Sequence, residues 1–574
     1  MHSSFLSRIR IVSVLVGLIV LLIIVKLFFV QVVHSARYAA LADHSYATPT
    51  GGVFDRGTIF FTERTDDRVA AATTLEGYQI EVNIAEAKDI PAIVGEIAKY
   101  IDGFDSDGAI KRLSSSGAGT YRVIARRVPR NAADSISGLK IAGVYVKKDA
   151  WRVYPGNELA SQTIGFVAYK GDELSGRYGL ERYYNDVLAR AGTATYVNFF
   201  AEIFSNIKST FFENPQKEGD VVTTLDPTLL GFLTKRLEKA KNDWSADSAG
   251  AIVIDPSTGA LYALSTLPTY DANAFQDVTD QSLYQNSLAE RVYEWGSVVK
   301  PLIMAAGLDS GAVTPETKYT DYTGFVTVNG QQIYNFDKKG RGVATMQDVL
   351  NQSLNTGMVF VAGKLGHEKM RDYIGDYKLG EKTGIDLPGE IGGLLSNIKS
   401  NRDIEFATMA FGQGIALTPF ELVRALSALA NGGHIITPHI ASKIEYTDGT
   451  EKIVAPPASV DSIWKDPKTS ETITRMLVTV ADGTMKTYGL KLPHYALAAK
   501  TGTAQIPNDA GGYYEDRHLH SIFGYVPAYD PKFLIFMFLK NPKGAQFAAQ
   551  SLAAPLVDVA TFITNYYGVA PDRE

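Results

Sequence analysis

The chain has 574 residues, 45% of them hydrophobic and 21% charged, enough for two to four domains with sizeable cores. A formal net charge of −6 without any Lys/Arg-dense run excludes a nucleic-acid footprint, so no polynucleotide partner is expected. The absence of cysteine rules out disulfides and cysteine nucleophiles, and the nine histidines show no metal-ligand spacing, so neither a metal nor another cofactor is expected.

The first predicted element is a membrane anchor. Ile11–Val33 carries one charge, Lys26, and as a helix would span ~34 Å against a hydrocarbon core of ~30 Å. Arg8 and Arg10 precede it, which by the positive-inside bias leaves residues 1–10 as a cytoplasmic tail and everything after the anchor outside. A cleaved signal peptide is the rival reading, with Ala40-Leu41-Ala42 as a small-x-small triplet, but the apolar run is too long and the triplet too far downstream.

Residues 34–222 then read as a pedestal of short strands and helices: GYQIEVNI (77–84) alternates like a strand and AIVGEIAKYI (92–101) has helical spacing. No cluster of catalytic side chains appears there. A second domain, 223–574, opens with Asp226-Pro227 as N-cap and first helical residue, followed by Leu229, Leu230, Leu233, Leu237 and Ala240 at helical spacing. AIVIDPSTGALYALST (251–266) reads as a hairpin, and after a mainly helical middle strands return at YALAAKTGTAQ (495–505), SIFGYVP (521–527) and FLIFMFLK (533–540). The expected fold is α+β, a five-stranded antiparallel sheet flanked by helices, with an inserted helical subdomain.

Ser-x-x-Lys occurs at Ser137, Ser205, Ser297, Ser396 and Ser462, so the match alone carries little. Only Ser297 follows a glycine and opens an apolar stretch, VVKPLIMAAGL, that reads as a buried helix. A helix start would give its oxygen a positive dipole end and free N–H groups for an oxyanion, and Lys300 one turn on would lie within reach as base. Burial and nearby positive charge would have to lower the pKa of that lysine. Ser353-Leu354-Asn355 places a hydroxyl and an amide two apart, suited to relaying protons and to holding Lys300 and a substrate amide. Lys500-Thr501-Gly502-Thr503 lies on a predicted strand, with Lys500, Thr501 and Thr503 suited to a terminal carboxylate and Gly502 to close approach of a substrate backbone. A second Lys-Thr-Gly, at Lys382, sits in a Gly/Pro-bounded loop and is assigned a turn role.

With these three motifs in order, the chain resembles the class B penicillin-binding proteins, monofunctional peptidoglycan D,D-transpeptidases. Arg56-Gly57-Thr58-Ile59, RVYPGNELASQTIGF (152–166), GRYGLERYYND (176–186), VVTTLDP (221–227), FGQGIALTP (411–419) and ANGG (430–433) resemble further landmarks of that family. The resemblance implies a dimerisation-type pedestal and acylation of Ser297 by the D-Ala-D-Ala end of a stem peptide, with transfer to an amine on a neighbouring strand. It also implies an oxyanion hole of the Ser297 and Thr503 N–H groups, inhibition by β-lactams, and a multi-spanning glycosyltransferase with other wall-synthesis proteins as partners. The location implied is the bacterial inner membrane, and the compact pedestal leans towards a role in division over elongation. Trp295, Leu354 and Ala499 depart from the family pattern, and Trp295 and Ala499 are expected to narrow the cleft.

A β-lactamase would need a deacylating Glu-x-x-Leu-Asn motif after Ser353, and none follows. An inactive scaffold is the non-enzyme alternative, opposed by the intact Ser297, Lys300, Ser353, Asn355 and Lys500.

Overall fold

A computed structural model describes residues 55–115, 120–170, 173–190, 217–508 and 511–573. The expected tail and anchor, and the Ser-x-x-Lys match at Ser205, lie outside the described residues. Among the described residues no helix is long and apolar enough to cross a membrane.

The chain forms two compact units. The smaller contains residues 74–151. In it the strand Arg68–Asn83, from Tyr78 onward, pairs antiparallel with Tyr121–Val128 and also with Val144–Val153. Ile80, Val82, Ile124 and Val128 meet Ile93, Val94, Ile97, Leu113 and Ile136 from three short helices to make a separate core. The first of those helices is Ile90–Ala98, capped by Asp89, so it begins and ends a little before the predicted 92–101.

The larger unit comprises residues 56–73, 152–189 and 216–574. Its centre is an antiparallel sheet of β1 (Ser248–Ile254), β2 (Leu261–Leu267), β3 (Ala498–Pro507), β4 (Tyr513–Val526) and β5 (Phe533–Lys540), in the order β3-β4-β5-β1-β2. In β5, FLIFMFLK is buried on both faces up to Lys540, as expected for a central strand between two helical layers. The edge strand β3 pairs with β4 in a register that sets Lys500 opposite Phe523 and Thr503 opposite His520.

Helix α1 (Pro227–Asp243) begins as predicted: Asp226 accepts from the N–H groups of Thr228 and Leu229, and the five apolar residues named above are all buried. It packs with the last helix of the chain, α6 (Ala548–Tyr566), where Phe232 and Phe562 stack at 4.0 Å. Between β2 and β3 the chain builds α2 (Lys300–Asp309), α3 (Asn355–Asp376), α4 (Pro419–Ala430) and α5 (Thr469–Tyr488). Helix α5 lies against β3, and α2 packs on α3, α4 and α5.

Candidate active site

The segment around Ser297 is held from behind by tight backbone packing. The Trp295 indole is 1% exposed, donates to the Leu417 carbonyl at 2.9 Å and rests on Phe536 and Phe538 of β5. Trp295 is therefore a core anchor for the turn, which corrects the expectation that it narrows the cleft. Gly296 has φ +60° and donates to the Gly412 carbonyl at 3.1 Å, while a Cβ on Gly412 would meet the Gly296 oxygen at 2.2 Å. Two glycines back to back thus lock this turn onto the FGQG segment.

Ser297 does not open the α-helix. It lies in a 3₁₀ turn, Gly296–Val298, and α2 starts at Lys300. The physical reason is Pro301: it has no N–H to donate to the Ser297 carbonyl, so an α ladder cannot begin there.

Lys300 is fully buried, and its Nζ donates to the Ser353 carbonyl (2.6 Å), Ser353 Oγ (3.2 Å) and Asn355 Oδ1 (2.8 Å). Lys500, 3% exposed, donates to the same Ser353 Oγ at 3.0 Å and to the Thr501 carbonyl. The Ser353 hydroxyl thus accepts from two lysines, which occupies both lone pairs and leaves its own proton for a third partner. Burial, then the neighbouring Lys500 charge, push Lys300 well below the usual lysine range. Burial alone brings Lys500 down to about 7.

Ser353 holds a left-handed backbone (φ +54°) just past the short helix Met346–Asn351, and Asn355 is the first residue of α3. The turn that the Ser353-Leu354-Asn355 spacing requires is therefore a link between two helices, with Leu354 fully buried in the core. Asn355 is held in place by its Nδ2, which donates to the Tyr334 carbonyl. Behind it, Thr356 Oγ1 and Asn335 Nδ2 both donate to the same oxygen, Oδ2, of the buried Asp321 carboxylate, at 2.9 and 2.7 Å. Sequence reading misses this Asp321-Asn335-Thr356 support, because three polar residues scattered over 35 positions carry no periodic signal.

On β3, the Thr503 hydroxyl accepts from the Ala548 N–H at the start of α6. Thr501 is half-buried. The glycine between them does something other than expected: a Cβ on Gly502 would lie 2.6 Å from both the Trp295 carbonyl oxygen and Ser521 Oγ. Gly502 lets the Ser297 turn press against the strand, so its empty side is filled by the protein rather than by a substrate backbone. Ala499 is buried, its Cβ near Gly524 in the sheet, so it too packs inward and does not narrow the cleft.

The decoys resolve cleanly. Thr383, in the second Lys-Thr-Gly, donates its hydroxyl and N–H to Glu390 within a loop. Ser137 ends a helix near its C-terminus, Ser396 starts a 3₁₀ turn, and Ser462 donates to the Gly432 carbonyl. The pedestal signatures converge elsewhere in the larger unit: Glu181 accepts from Arg56 Nε and from Arg152 Nε, each at 2.6 Å, with all three side chains buried. Burial pushes the Glu181 carboxyl up, but the two guanidinium groups and their hydrogen bonds outweigh it and hold it below the usual range.

Comparison with known proteins shows which family has this sequence and fold. The pattern of the penicillin binding protein transpeptidase domain matches residues 249–560, more than half of the chain, and that of the penicillin-binding protein dimerisation domain matches residues 55–224. The chain belongs to the penicillin-binding protein family. Among curated relatives of the family, stage V sporulation protein D of Bacillus subtilis is 30% identical, over 97% of this chain and 85% of that protein. Penicillin-binding protein PbpB of Mycobacterium tuberculosis is 28% identical over 100% and 86%, and peptidoglycan D,D-transpeptidase FtsI of Escherichia coli K12 is 25% identical over 78% and 72%. Penicillin-binding protein 2X from Streptococcus thermophilus shares the fold, with TM-score 0.74 at 20% identity over 91% of this chain and 81% of the other. So does penicillin-binding protein 3 from Mycobacterium tuberculosis in complex with aztreonam, at TM-score 0.66 and 22% identity over 90% and 97%.

Proposed function

We propose that Ser297 is the nucleophile with which this peptidoglycan D,D-transpeptidase takes an acyl group from the D-Ala-D-Ala end of a stem peptide. The observation that carries the assignment is the hydrogen-bonded run Lys300–Ser353–Lys500, which gathers the three motifs around one hydroxyl. Lys300, whose hold on its proton is weakened by burial and then by the Lys500 charge, gives that proton up and then takes the Ser297 proton as Oγ attacks the penultimate D-Ala carbonyl. Backbone N–H groups of Ser297 and Thr503 receive the oxyanion. The peptide bond breaks, and the terminal D-Ala leaves with a proton delivered through Ser353. An amine from a second strand then attacks the ester, releasing Ser297 and forming the cross-link. Lys500, Thr501 and Thr503 hold the terminal carboxylate, and Asn355 holds the substrate amide. β-Lactams stop at the acyl-enzyme.

The same reading assigns residues 1–10 to a cytoplasmic tail, 11–33 to a single membrane anchor, 34–222 to the pedestal and 223–574 to the transpeptidase domain. It places the enzyme on the outer side of a bacterial inner membrane, with a multi-spanning glycosyltransferase as partner and division as the setting. The length of the apolar run Ile11–Val33 and its single charge support the anchor.

Fluorescent penicillin is expected to label the purified protein covalently, and Ser297→Ala to abolish the label. Labelling that survives this substitution would sink the nucleophile assignment. Lys300→Ala is expected to slow labelling by about 10²- to 10⁴-fold, the usual range for loss of a positioned base. An unchanged rate would mean that another group takes the proton.

A further inference from the structure

On β3, Lys500 reaches Ser353 and a Cβ on Gly502 would meet the Trp295 carbonyl and Val298, so these two positions face the Ser297 turn. Thr503 faces the other way, towards α6, where its hydroxyl accepts from the Ala548 N–H at 3.0 Å. The register sets His520 of β4 between Thr503 on one side and Leu539 of β5 on the other, so the imidazole lies on this same face. Ser521, the next residue, points back and donates to the Trp295 carbonyl. His520 takes no part in the mechanism above. It is fully buried, and its Nε2 has no hydrogen-bond partner among the described residues. A leucine such as Leu539 would fill this layer without the cost of an unpaired ring nitrogen, so the reason for an imidazole here lies with its other nitrogen.

That nitrogen, Nδ1, is 2.8 Å from Ser551 Oγ, and Ser551 Oγ is 3.2 Å from the Ala548 carbonyl. The serine has a single proton. Only a ring protonated at Nδ1 satisfies both contacts: it donates to Ser551, which donates in turn to Ala548. Burial, then the His518 charge, brings the His520 pKa down to about 4, so the ring is neutral near pH ~7. The run ends at the first residue of α6, whose carbonyl is held by Ser551 and whose N–H is aimed at Thr503. An N–H can only donate, so Thr503 Oγ1 is its acceptor, and the Thr503 proton has no acceptor among the described residues. A hydroxyl fixed in this way meets an incoming carboxylate as a donor, which is the sense that a carboxylate needs.

We propose that His520 is a positioning residue for the substrate carboxylate: through Ser551 and Ala548 it holds the Thr503 hydroxyl as a donor to that carboxylate. The inference rests on the transpeptidase reading above and adds to it a residue on the buried side of β3.

The test uses the full-length protein in detergent and two labels, a fluorescent penicillin with its free carboxylate and the methyl ester of the same compound. The unmodified protein is expected to be acylated faster by the acid, and equal rates would overturn the proposal without any variant. His520→Leu, which keeps an apolar body and removes the donor, is expected to lower the acid-to-ester rate ratio about tenfold, the effect of one charge-assisted hydrogen bond. Ser551→Ala breaks the same run from the side of α6 and is expected to lower the ratio likewise, which also covers a His520→Leu protein that does not fold. His520→Asn, whose amide N–H can stand where Nδ1–H stands, is expected to keep most of the ratio. A ratio kept by either His520→Leu or Ser551→Ala, even with slower labelling overall, would overturn the proposal, because a residue that only packs the sheet slows both labels alike. A ratio lost equally in His520→Asn would overturn it too, because Thr503 would then depend on the packing of the ring and not on its Nδ1 donor. Failure of the acid to label the unmodified protein would overturn the transpeptidase reading along with it, whereas labelling with a ratio that no variant moves overturns this inference alone.

Discussion

At the residue scale, two buried lysines share one serine hydroxyl, and the arrangement is unfavourable for stability. The unfolded chain binds a proton on Lys500 up to its ordinary pKa of 10.5, whereas the folded chain does so only up to about 7. Between these values the unfolded state holds more protons, so stability rises with pH across that window and is lowest below it. Lys500→Met should therefore raise the melting temperature by an amount worth on the order of a few kcal/mol at neutral pH, and by much less near pH ~10. The same variant should lose penicillin labelling, a trade of stability for activity. Melting curves at the two pH values decide it: a variant that is destabilised at neutral pH would mean that its hydrogen bonds to Ser353 and Thr501 outweigh desolvation. Sequence reading foresaw the need for a lowered lysine pKa at Lys300, because general-base chemistry demands it. It gave no sign that Lys300 and Lys500 would meet on Ser353, since that depends on a left-handed Ser353 backbone that no propensity favours.

At the element scale, the strands and the first helix of the catalytic unit were legible because apolar periodicity and capping are local. FLIFMFLK became β5 with the predicted bounds, and Asp226-Pro227 capped α1 as its pattern required. The start of α2 was misread for an equally local reason: the effect of Pro301 on the carbonyl four residues earlier outweighs the apolar run that begins at Val298. Gly502 was misassigned for a non-local one, since the atoms that fill its empty side come from Trp295 and Ser521, far away in sequence. Gly502→Ala would place a methyl group 2.6 Å from the Trp295 carbonyl, which real side chains do not tolerate, so either β3 or the Ser297 turn must shift. Overpacking of this kind costs about 1–3 kcal/mol, and misplacing a nucleophile by ~1 Å costs on the order of 10²-fold in rate. Gly502→Ala is thus expected to melt lower and to be labelled by penicillin on the order of 10²-fold more slowly. Full-rate labelling would show that the strand and turn can part without moving Ser297.

At the scale of the whole molecule, long-range organisation is written in motifs that look unrelated in the chain. Arg56, Arg152 and Glu181 belong to three separate signatures, yet in the larger unit they form one buried ion triad whose Glu181 is fully buried. Such a triad adds little net stability, but removing one member strands the others without solvent, so it specifies which segments must come together. The two compact units each keep their own buried core, and the larger one holds the three catalytic motifs together with residues 56–73 and 152–189. Residues 11–33 bear on the remaining task, attachment to the membrane. About 20 apolar residues suffice to cross a bilayer, and this stretch holds one lysine placed near the end where its stem can reach the headgroups. Full-length protein should therefore sediment with membranes and resist extraction by high salt or alkali, being released only by detergent. A chain lacking residues 1–33 should appear in the soluble fraction and still be labelled at Ser297 by penicillin, because every group in the Lys300–Ser353–Lys500 run comes from the catalytic unit. Recovery of the protein, expressed from its full sequence, in the soluble fraction and shortened at its N-terminus near Ala42 would instead establish a cleaved signal peptide and remove the anchor from the description of this enzyme.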